Sequence, residues 1–148
     1  LTNDALEVIA EGPDLAIAVP EAALAAMDAW NQTHHTASGL LARVRKEGVP
    51  LAEAEDEVLR FVARFVPRGK GILCGNSVHV DRRFLAAQMP RLEAWLHYRI
   101  IDVSTVKELA RRWYGLRPPP KRAAHRARDD ILESIEELRF YRRAIFRG

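Results

Sequence analysis

Apolar residues recur at two spacings along the chain, and these spacings predict both strands and helices. Short apolar runs, the last two of them predicted to be buried, indicate strands over residues 6–10, 15–19, 71–75 and 98–103. Apolar positions three to four residues apart predict helices over residues 20–30, 51–66, 81–89 and 105–113. The same spacing predicts a final helix near the carboxyl terminus. Because strands alternate with helices in the second half, the pattern predicts an α/β fold in which helices flank a mixed sheet.

Polar segments and single residues predict where several of these elements begin and end. The polar segment 31–39 predicts a loop, and the short amphipathic helix after it ends at Gly48. Thr105 and Glu108 have the spacing of a capping box, which predicts that a helix begins there. Four apolar residues of the final helix are predicted to point toward the core: Ile131, Ile135, Leu138 and Ile145.

The composition is that of one globular domain spanning residues 1–148, because 48% of the residues are apolar and 29% are charged. Nineteen of the 23 cationic residues are arginine, and the pI is about 9.4. Arginine suits bidentate phosphate recognition, so a nucleic-acid or nucleotide partner is expected, although an arginine-rich surface without such a partner fits equally well.

Cysteine usage and apolar run length bear on the cellular location. The single cysteine, Cys74, excludes an intrachain disulfide and indicates a reducing compartment, which we expect to be the cytoplasm. No apolar run approaches the roughly 18 residues of a membrane span, and no signal peptide is visible. We therefore expect no membrane association.

Three titratable residues in the second half suggest chemistry. His125 and Asp129 stand four residues apart, so they share one face of the final helix. Asp81 follows a predicted strand and loop, a usual position for a ligand at the carboxyl end of a sheet. A base and two separated carboxylates suit metal-assisted cleavage of a phosphodiester. The structural alternatives are a surface hydrogen bond between His125 and Asp129 and a favourable helix N-terminal charge at Asp81.

Polar and aromatic side chains elsewhere suggest a binding surface. Arg99, Ser104 and Thr105 have the donor chemistry to hold a phosphate, with helix capping as the alternative for the two hydroxyl residues. Trp30 and Tyr98 could stack on bases or could be ordinary core aromatics. The histidines lack the spacing of zinc ligands, so we expect no structural zinc.

Segments spread over nearly the whole chain resemble the oligoribonuclease family, the small DEDDh 3′-to-5′ exoribonucleases. The run 97–113 is highly specific to this family, and the matching segments are residues 10–13, 27–30, 35–40, 74–77, 81–85, 97–113, 125–130 and 133–138. The resemblance implies a ribonuclease H-like fold, a homodimer and two divalent cations, Mg²⁺ or Mn²⁺. It also implies hydrolysis of short RNA to mononucleotides, with diribonucleotides preferred.

The resemblance also implies roles for individual side chains. Asp81 and Asp129 would bind the metals, and His125 would be the general base. Tyr98 and Arg99 would reach into the neighbouring subunit's site. The full set of substrate-binding residues implied by the resemblance is Trp30, His35, Ser77, His79, Tyr98, Arg99, Ser104 and Thr105.

One part of the family's pattern has no match in this sequence. The family's first strand carries an Asp-x-Glu pair, whereas the early acids here, Asp4, Glu7 and Glu11, belong to the turn and strand that follow it in the family. The fold is therefore expected to be N-terminally truncated relative to the family.

Two explanations of this departure stay open. The sequence is a piece of a complete enzyme, or it is a truncated relative that has lost catalysis and acts as a dinucleotide-binding or dimerisation module. A mitochondrial form without its presequence likewise stays open beside the cytoplasmic one.

Overall fold

The computed structural model describes residues 1–118 and 127–146, and these form eight helices and two strands. Their bounds in chain order are α1 (Glu21–Ala25), α2 (Ala29–Ala37), α3 (Leu40–Glu47), α4 (Leu51–Ala63), β1 (Leu73–Gly75), α5 (Val78–Gln88), α6 (Pro90–Glu93), β2 (Ile100–Asp102), α7 (Val103–Tyr114) and α8 (Ala127–Ile145). Helices therefore form most of the described chain.

The two strands form a parallel pair in which Leu73 lies opposite Ile100 and Gly75 lies opposite Asp102. Each strand is followed almost at once by a helix, α5 after β1 and α7 after β2. This order confirms the α/β class, although the described strands pair only in parallel rather than in the expected mixed sheet. Because both strands end at the same edge, the first turns of α5 and α7 lie side by side.

The two strands predicted near the N-terminus, over residues 6–10 and 15–19, are wrong. Within the described chain these segments form only isolated bridges, antiparallel between Thr2 and Val8 and parallel between Ile17 and Val49. A strand needs a continuous neighbour to complete its ladder of hydrogen bonds, and these bridges extend over single residue pairs.

Gly48 permits the bridge at Val49 because a side chain at this position would collide with the backbone. A Cβ there would lie 2.3 Å from the Val44 carbonyl oxygen and 2.9 Å from the Ala18 Cα. The helix end predicted at Gly48 is confirmed, since α3 ends at the residue before it.

The predicted burial of β1 and β2 is also wrong. Ile72, beside β1, and Ile100 and Ile101, in β2, are exposed. A run of apolar residues allows a strand to be buried, but the strand is buried only where other segments of the fold cover its faces. In the described residues no third strand pairs with either of them.

Two helix boundaries differ from the predictions because of aspartate caps. The predicted loop 31–39 is mostly helix α2, whose N-cap, Asp28, accepts the backbone N–H of Asn31 at 2.8 Å. The capping box predicted at Thr105 is wrong, because α7 begins at Val103 and Asp102 is its N-cap. Aspartate is among the preferred N-cap residues. Asp28 starts a new helix within the predicted helix 20–30, of which α1 forms only the first part, and Asp102 starts α7 earlier than the capping box predicted.

The inward face of α8 is more polar than predicted. Ile131 is 61% exposed, whereas Glu137 and Tyr141 are buried, Tyr141 completely. Burial, reinforced by the neighbouring Glu137 charge, raises the pKa of Tyr141 to about 12. The predicted apolar set for this helix is therefore wrong at Ile131.

Buried polar contacts fasten α8 to the rest of the fold. The Glu137 Oε1 atom lies 2.8 Å from the Lys107 ammonium of α7. Asn76, directly after β1, donates from Nδ2 to Glu137 Oε2 at 3.2 Å and to the Ser134 hydroxyl at 2.9 Å. A charge that is buried must be paired, so this network requires α8 to keep one position against α7 and β1.

A second buried acid, Glu55 of α4, holds the start of α6. Its Oε1 atom accepts the backbone N–H groups of Arg91 and Leu92 at 2.7 and 3.1 Å, and its Oε2 accepts from the Arg91 guanidinium at 2.8 Å. Burial would raise the pKa of Glu55, but the hydrogen bonds from Leu92 and Arg91 outweigh it and hold the pKa below its ordinary value.

We expect Glu137→Ala to lower the free energy of unfolding by about 2–3 kcal/mol, because it leaves Lys107 and Asn76 without their buried acceptor. Urea denaturation measures the change. Glu136→Ala is the matched control, since Glu136 is exposed and pairs with Arg139 one turn away, a contact worth about 0.5 kcal/mol or less. Equal losses in the two variants would contradict the structural role of Glu137.

Candidate active site

Polar side chains gather where the two strands end. Asn76 and Ser77 follow β1 directly, and Asp102 and Ser104 lie at the junction of β2 with α7. The parallel register places Gly75 opposite Asp102, so these four residues come from distant parts of the chain to one edge. This edge is where open α/β sheets bind their ligands.

The Asp102 carboxylate lies at the centre of this group. Its Oδ1 atom accepts two backbone N–H groups, that of Ser77 at 2.9 Å and that of Ser104 at 2.9 Å. Its Oδ2 atom lies 3.5 Å from Nδ1 of His79, and the side chain is 15% exposed. One carboxylate thus connects the loop after β1 to the first turn of α7.

Ser77 adopts an unusual backbone conformation at this point. Its φ of +53° lies in the left-handed region, which is unfavourable for residues other than glycine. Its amide also lies 3.0 Å from the Ser104 hydroxyl, and the two hydroxyl oxygens are 3.2 Å apart. Strained residues persist only where surrounding contacts fix them, and here those contacts come from Asp102 and Ser104.

Asn76 connects the paired serines to α8. Its Oδ1 atom accepts from the Ser104 hydroxyl at 3.2 Å and from Lys107 at 3.4 Å. Its Nδ2 atom donates to Ser134 and Glu137, as described above. The hydroxyl pair, α7 and α8 therefore share one hydrogen-bond network.

The two candidate metal carboxylates lie in first helical turns, Asp81 in α5 and Asp129 in α8. Asp81 is exposed and Asp129 is half-buried. Among the described residues neither carboxylate has a hydrogen bond or ion pair. The candidate base His125 lies outside the described residues.

Tyr98 and Arg99 precede β2 and form a small stack. The His97 and Tyr98 rings stack at 4.5 Å, and the Arg99 guanidinium lies 5.5 Å from the Tyr98 ring centre. The Arg99 amide donates to Nδ1 of His97 at 3.0 Å. Tyr98 is 73% exposed, so it is not the core aromatic that the sequence left as an alternative.

The remaining candidates divide between two helices. Trp30 and His35 lie on α2, where the exposed Trp30 ring stacks on His34 at 4.0 Å and His35 is half-buried. Across the described chain no hydrogen bond or ring stack joins Trp30 or His35 to the serine pair. Thr105 lies in the first turn of α7, one residue after Ser104, and is exposed.

The sequence reasoning missed Asp102, Asn76 and Lys107. Asp102 could have been found as an aspartate at the end of a predicted strand and one residue before a helix, which is an N-cap signal. Asn76 and Lys107 carry no such local signal, because their partner Glu137 lies on α8, far away in sequence.

Cys74 lies in β1 beside this cluster but is not activated. Desolvation raises the pKa of its thiol, and the Asp102 charge adds to the effect. A reactive cysteine needs the opposite shift, toward thiolate. We therefore expect the hydroxyl and carboxylate groups at this edge, rather than the thiol, to take part in binding or catalysis.

Comparison with known proteins identifies the family. The model of an exonuclease family matches residues 2–138. The chain is 55% identical to an oligoribonuclease of Vibrio cholerae over 149 residues, which cover 99% of this chain and 82% of that protein. It is 51% identical to an oligoribonuclease of Dichelobacter nodosus, covering 99% and 81%. It is also 51% identical to a mitochondrial oligoribonuclease of mouse, covering 99% and 63%.

The chain belongs to the exonuclease family. Members of this family generally use divalent metal ions, and the donors found here suit such ions. Asp81 and Asp129 offer hard carboxylate oxygens that no other described group occupies. In residues 1–118 and 127–146, however, no three His, Cys, Asp or Glu side chains lie close enough together to hold a metal. The described part of this exonuclease domain thus provides carboxylate donors without a complete ligand set.

We expect Ser77→Gly to be more stable than Ser77→Ala by about 1 kcal/mol, because both lose the hydroxyl but only alanine keeps the left-handed strain. Thermal unfolding of the two variants side by side measures this difference. If the alanine variant matched or exceeded the glycine variant, the positive φ of Ser77 would not be a source of strain.

Proposed function

We propose that this chain is a 3′-to-5′ exoribonuclease, organised as one domain, that hydrolyses short oligoribonucleotides to mononucleotides, with diribonucleotides preferred. The observation that carries the proposal is the pair of serine hydroxyls, Ser77 and Ser104, held at the strand ends next to the helix turn that bears Asp81. Donors that hold a phosphate beside a metal-binding carboxylate are the parts that phosphodiester hydrolysis requires. The high identity to proteins named oligoribonuclease supports the same reading.

The preference for short substrates follows from where the donors lie. An enzyme that cleaves from the 3′ end of a dinucleotide has the 5′ end at the other side of its site. Ser77, Ser104 and Thr105 hold the phosphate at that 5′ end, together with Arg99 of the partner subunit. A longer strand would have to continue through the groups that enclose this phosphate, so longer substrates bind less well.

The reaction is hydrolysis, and three side chains carry it. Asp81 and Asp129 would hold Mg²⁺ or Mn²⁺, and a bound cation of this kind would lower the pKa of water and stabilise charge on the phosphate. The imidazole of His125 accepts a proton from the attacking water, because histidine is the side chain that most often serves as a general base. The water oxygen bonds to the phosphorus of the 3′-terminal nucleotide as the bond from that phosphorus to the preceding ribose 3′ oxygen breaks. The departing oxygen takes a proton from solvent, and the imidazole returns its proton to solvent.

Base recognition is assigned to aromatic and histidine side chains. Trp30 and Tyr98 are both exposed, which supports stacking on unpaired bases. His35 and His79 provide polar contacts to the same substrate. Stacking tolerates every base, so we expect little sequence preference.

The assembly is proposed to be a homodimer in which Tyr98 and Arg99 reach the partner's site. Leu109 and Trp113 lie one turn apart on α7, and both are exposed, Trp113 by 68%. Such an exposed apolar stripe on one helix supports a surface covered by a second copy.

The location is proposed to be the cytoplasm, because the single exposed cysteine suits a reducing compartment. A mitochondrial location is the alternative, since one of the relatives is named as a mitochondrial protein. Of the helices described, none has both the length and the apolar character to span a bilayer.

We expect the purified chain to shorten a labelled diribonucleotide with Mg²⁺ or Mn²⁺ and to stop when a chelator is added. His125→Ala should lower kcat by about a thousandfold, because a positioned general base contributes in that range. Lys46→Ala is the control, since Lys46 is highly exposed and, within the described residues, its ion pair is with its neighbour Glu47. Chromatographic separation of the mononucleotide product measures both effects.

The same assay separates the proposal from its alternative. A chain without turnover that gains turnover when an Asp-x-Glu strand is joined ahead of Leu1 is not itself the complete enzyme. A chain without turnover that still binds a dinucleotide in chelator, and binds it less well after Arg99→Ala, is a binding module.

We expect Trp113→Asp to raise the dissociation constant of the dimer by at least about thirtyfold, since burying a large apolar side chain contributes about 2 kcal/mol. Sedimentation velocity over a range of concentrations measures the constant. Trp113→Phe keeps an aromatic side chain and should remain a dimer. A wild-type chain that sediments as a monomer would remove this part of the proposal.

A further inference from the structure

We infer that Asp102 is a positioning residue for the 5′-phosphate of the substrate: it fixes the backbone so that the Ser77 hydroxyl is the donor presented to that phosphate. The inference rests on the proposed function, which places Ser77 and Ser104 at the phosphate. Asp102 itself touches neither the scissile bond nor the ligand.

The backbone amides of the two serines are already engaged. The amides of Ser77 and Ser104 sit at helix starts, where free N–H groups commonly bind anions. Here both amides already donate to Asp102 Oδ1 at 2.9 Å. On these two serines it is therefore the hydroxyl groups, rather than the amides, that are left to bind a phosphate.

Each serine hydroxyl has one proton to donate. The Ser104 hydroxyl donates its single proton to Asn76 Oδ1 and accepts the Ser77 amide. The Ser77 hydroxyl, 3.2 Å from Ser104 Oγ, then donates to Ser104 in the free protein and can turn to an incoming anion. Ser77 is the adaptable donor, and Ser104 is the acceptor that holds it in place.

The Asp102 carboxylate can lie close to a phosphate because its charge is offset by its neighbours. Asp102 is largely buried, and its charge faces two amides, the N-terminus of α7 and the His79 ring. These groups offset its charge, so little of it acts on the substrate. In return it holds Ser77 in the left-handed conformation that directs the hydroxyl.

The experiment measures the dissociation constants of two diribonucleotides, identical except for a 5′-phosphate, by calorimetry with chelator present so that nothing is hydrolysed. For Asp102→Ala we expect about tenfold weaker binding of the phosphorylated ligand and a change within about twofold for the other. Asp102→Asn keeps the Oδ1 acceptor, so it should bind like the wild type.

Two further variants distinguish a loss of phosphate binding from a general loss of folding. Asp102→Ser keeps an N-cap for α7 but is too short to hold the Ser77 amide as well, so it should show the tenfold loss even if the alanine variant folds poorly. Asn3→Ala is the matched control, because Asn3 Oδ1 likewise accepts two backbone amides, those of Ala5 and Glu7, but far from this edge in sequence. It should leave both constants unchanged.

Several outcomes would overturn the inference. One is an equal loss of affinity for the two diribonucleotides, and another is no loss of affinity in Asp102→Ser. A third is a loss in Asp102→Asn as large as in Asp102→Ala, which would mean that the charge of Asp102 itself matters. Failure of the proposed function is a separate result, because it appears as absence of turnover by the wild-type chain with metal.

Discussion

The parallel pairing of β1 with β2 is the constraint on which the candidate site depends. With Gly75 opposite Asp102, the carboxylate at the end of one strand comes within reach of the amide that follows the other. The starts of α5 and α7 are thereby fixed to each other by direct hydrogen bonds. A shift of one residue in this register would separate Asp102 from Ser77 and would also turn each strand's side chains to the opposite face.

The buried charge of Glu137 extends this constraint to α8. Glu137 cannot remain buried without Lys107 and Asn76, and Asn76 is also bonded to Ser104. The helix that bears Asp129 is therefore connected to the serine pair through two polar residues. Packing of leucine side chains alone would tolerate a small rotation of α8. A rotation that separated the buried Glu137 charge from its fixed partners would be strongly destabilising.

Sequence reasoning predicted much of the fold in the second half, because there the elements are set by local signals. The helices around Val58 and Leu109 and the strands before Asn76 and Val103 were found from spacing alone. It failed at the N-terminus, where strand-like runs such as 6–10 lack a continuous partner in the described chain. It also failed to predict burial, since Ile131 and Ile101 are apolar but exposed. Whether another segment covers a residue depends on the tertiary fold and cannot be read from the neighbouring sequence.

The candidate site was predictable only in part for the same reason. Asp81, Ser77 and Ser104 were found through motif resemblance and helix-start chemistry. Asp102 was not, because its role depends on a contact across 25 residues of sequence that only the strand register creates. The role of Glu137 depends on a still longer separation, 61 residues to Asn76.

The contacts of Asn76 and Ser77 also bear on the chemical durability of the protein. An asparagine followed by serine is prone to deamidation, in which the next backbone nitrogen attacks the side-chain carbonyl carbon to form a cyclic imide. Here that nitrogen donates to Asp102 and Ser104, and both ends of the Asn76 amide are engaged. The folded chain therefore resists an ageing reaction that would place a new negative charge directly against Glu137.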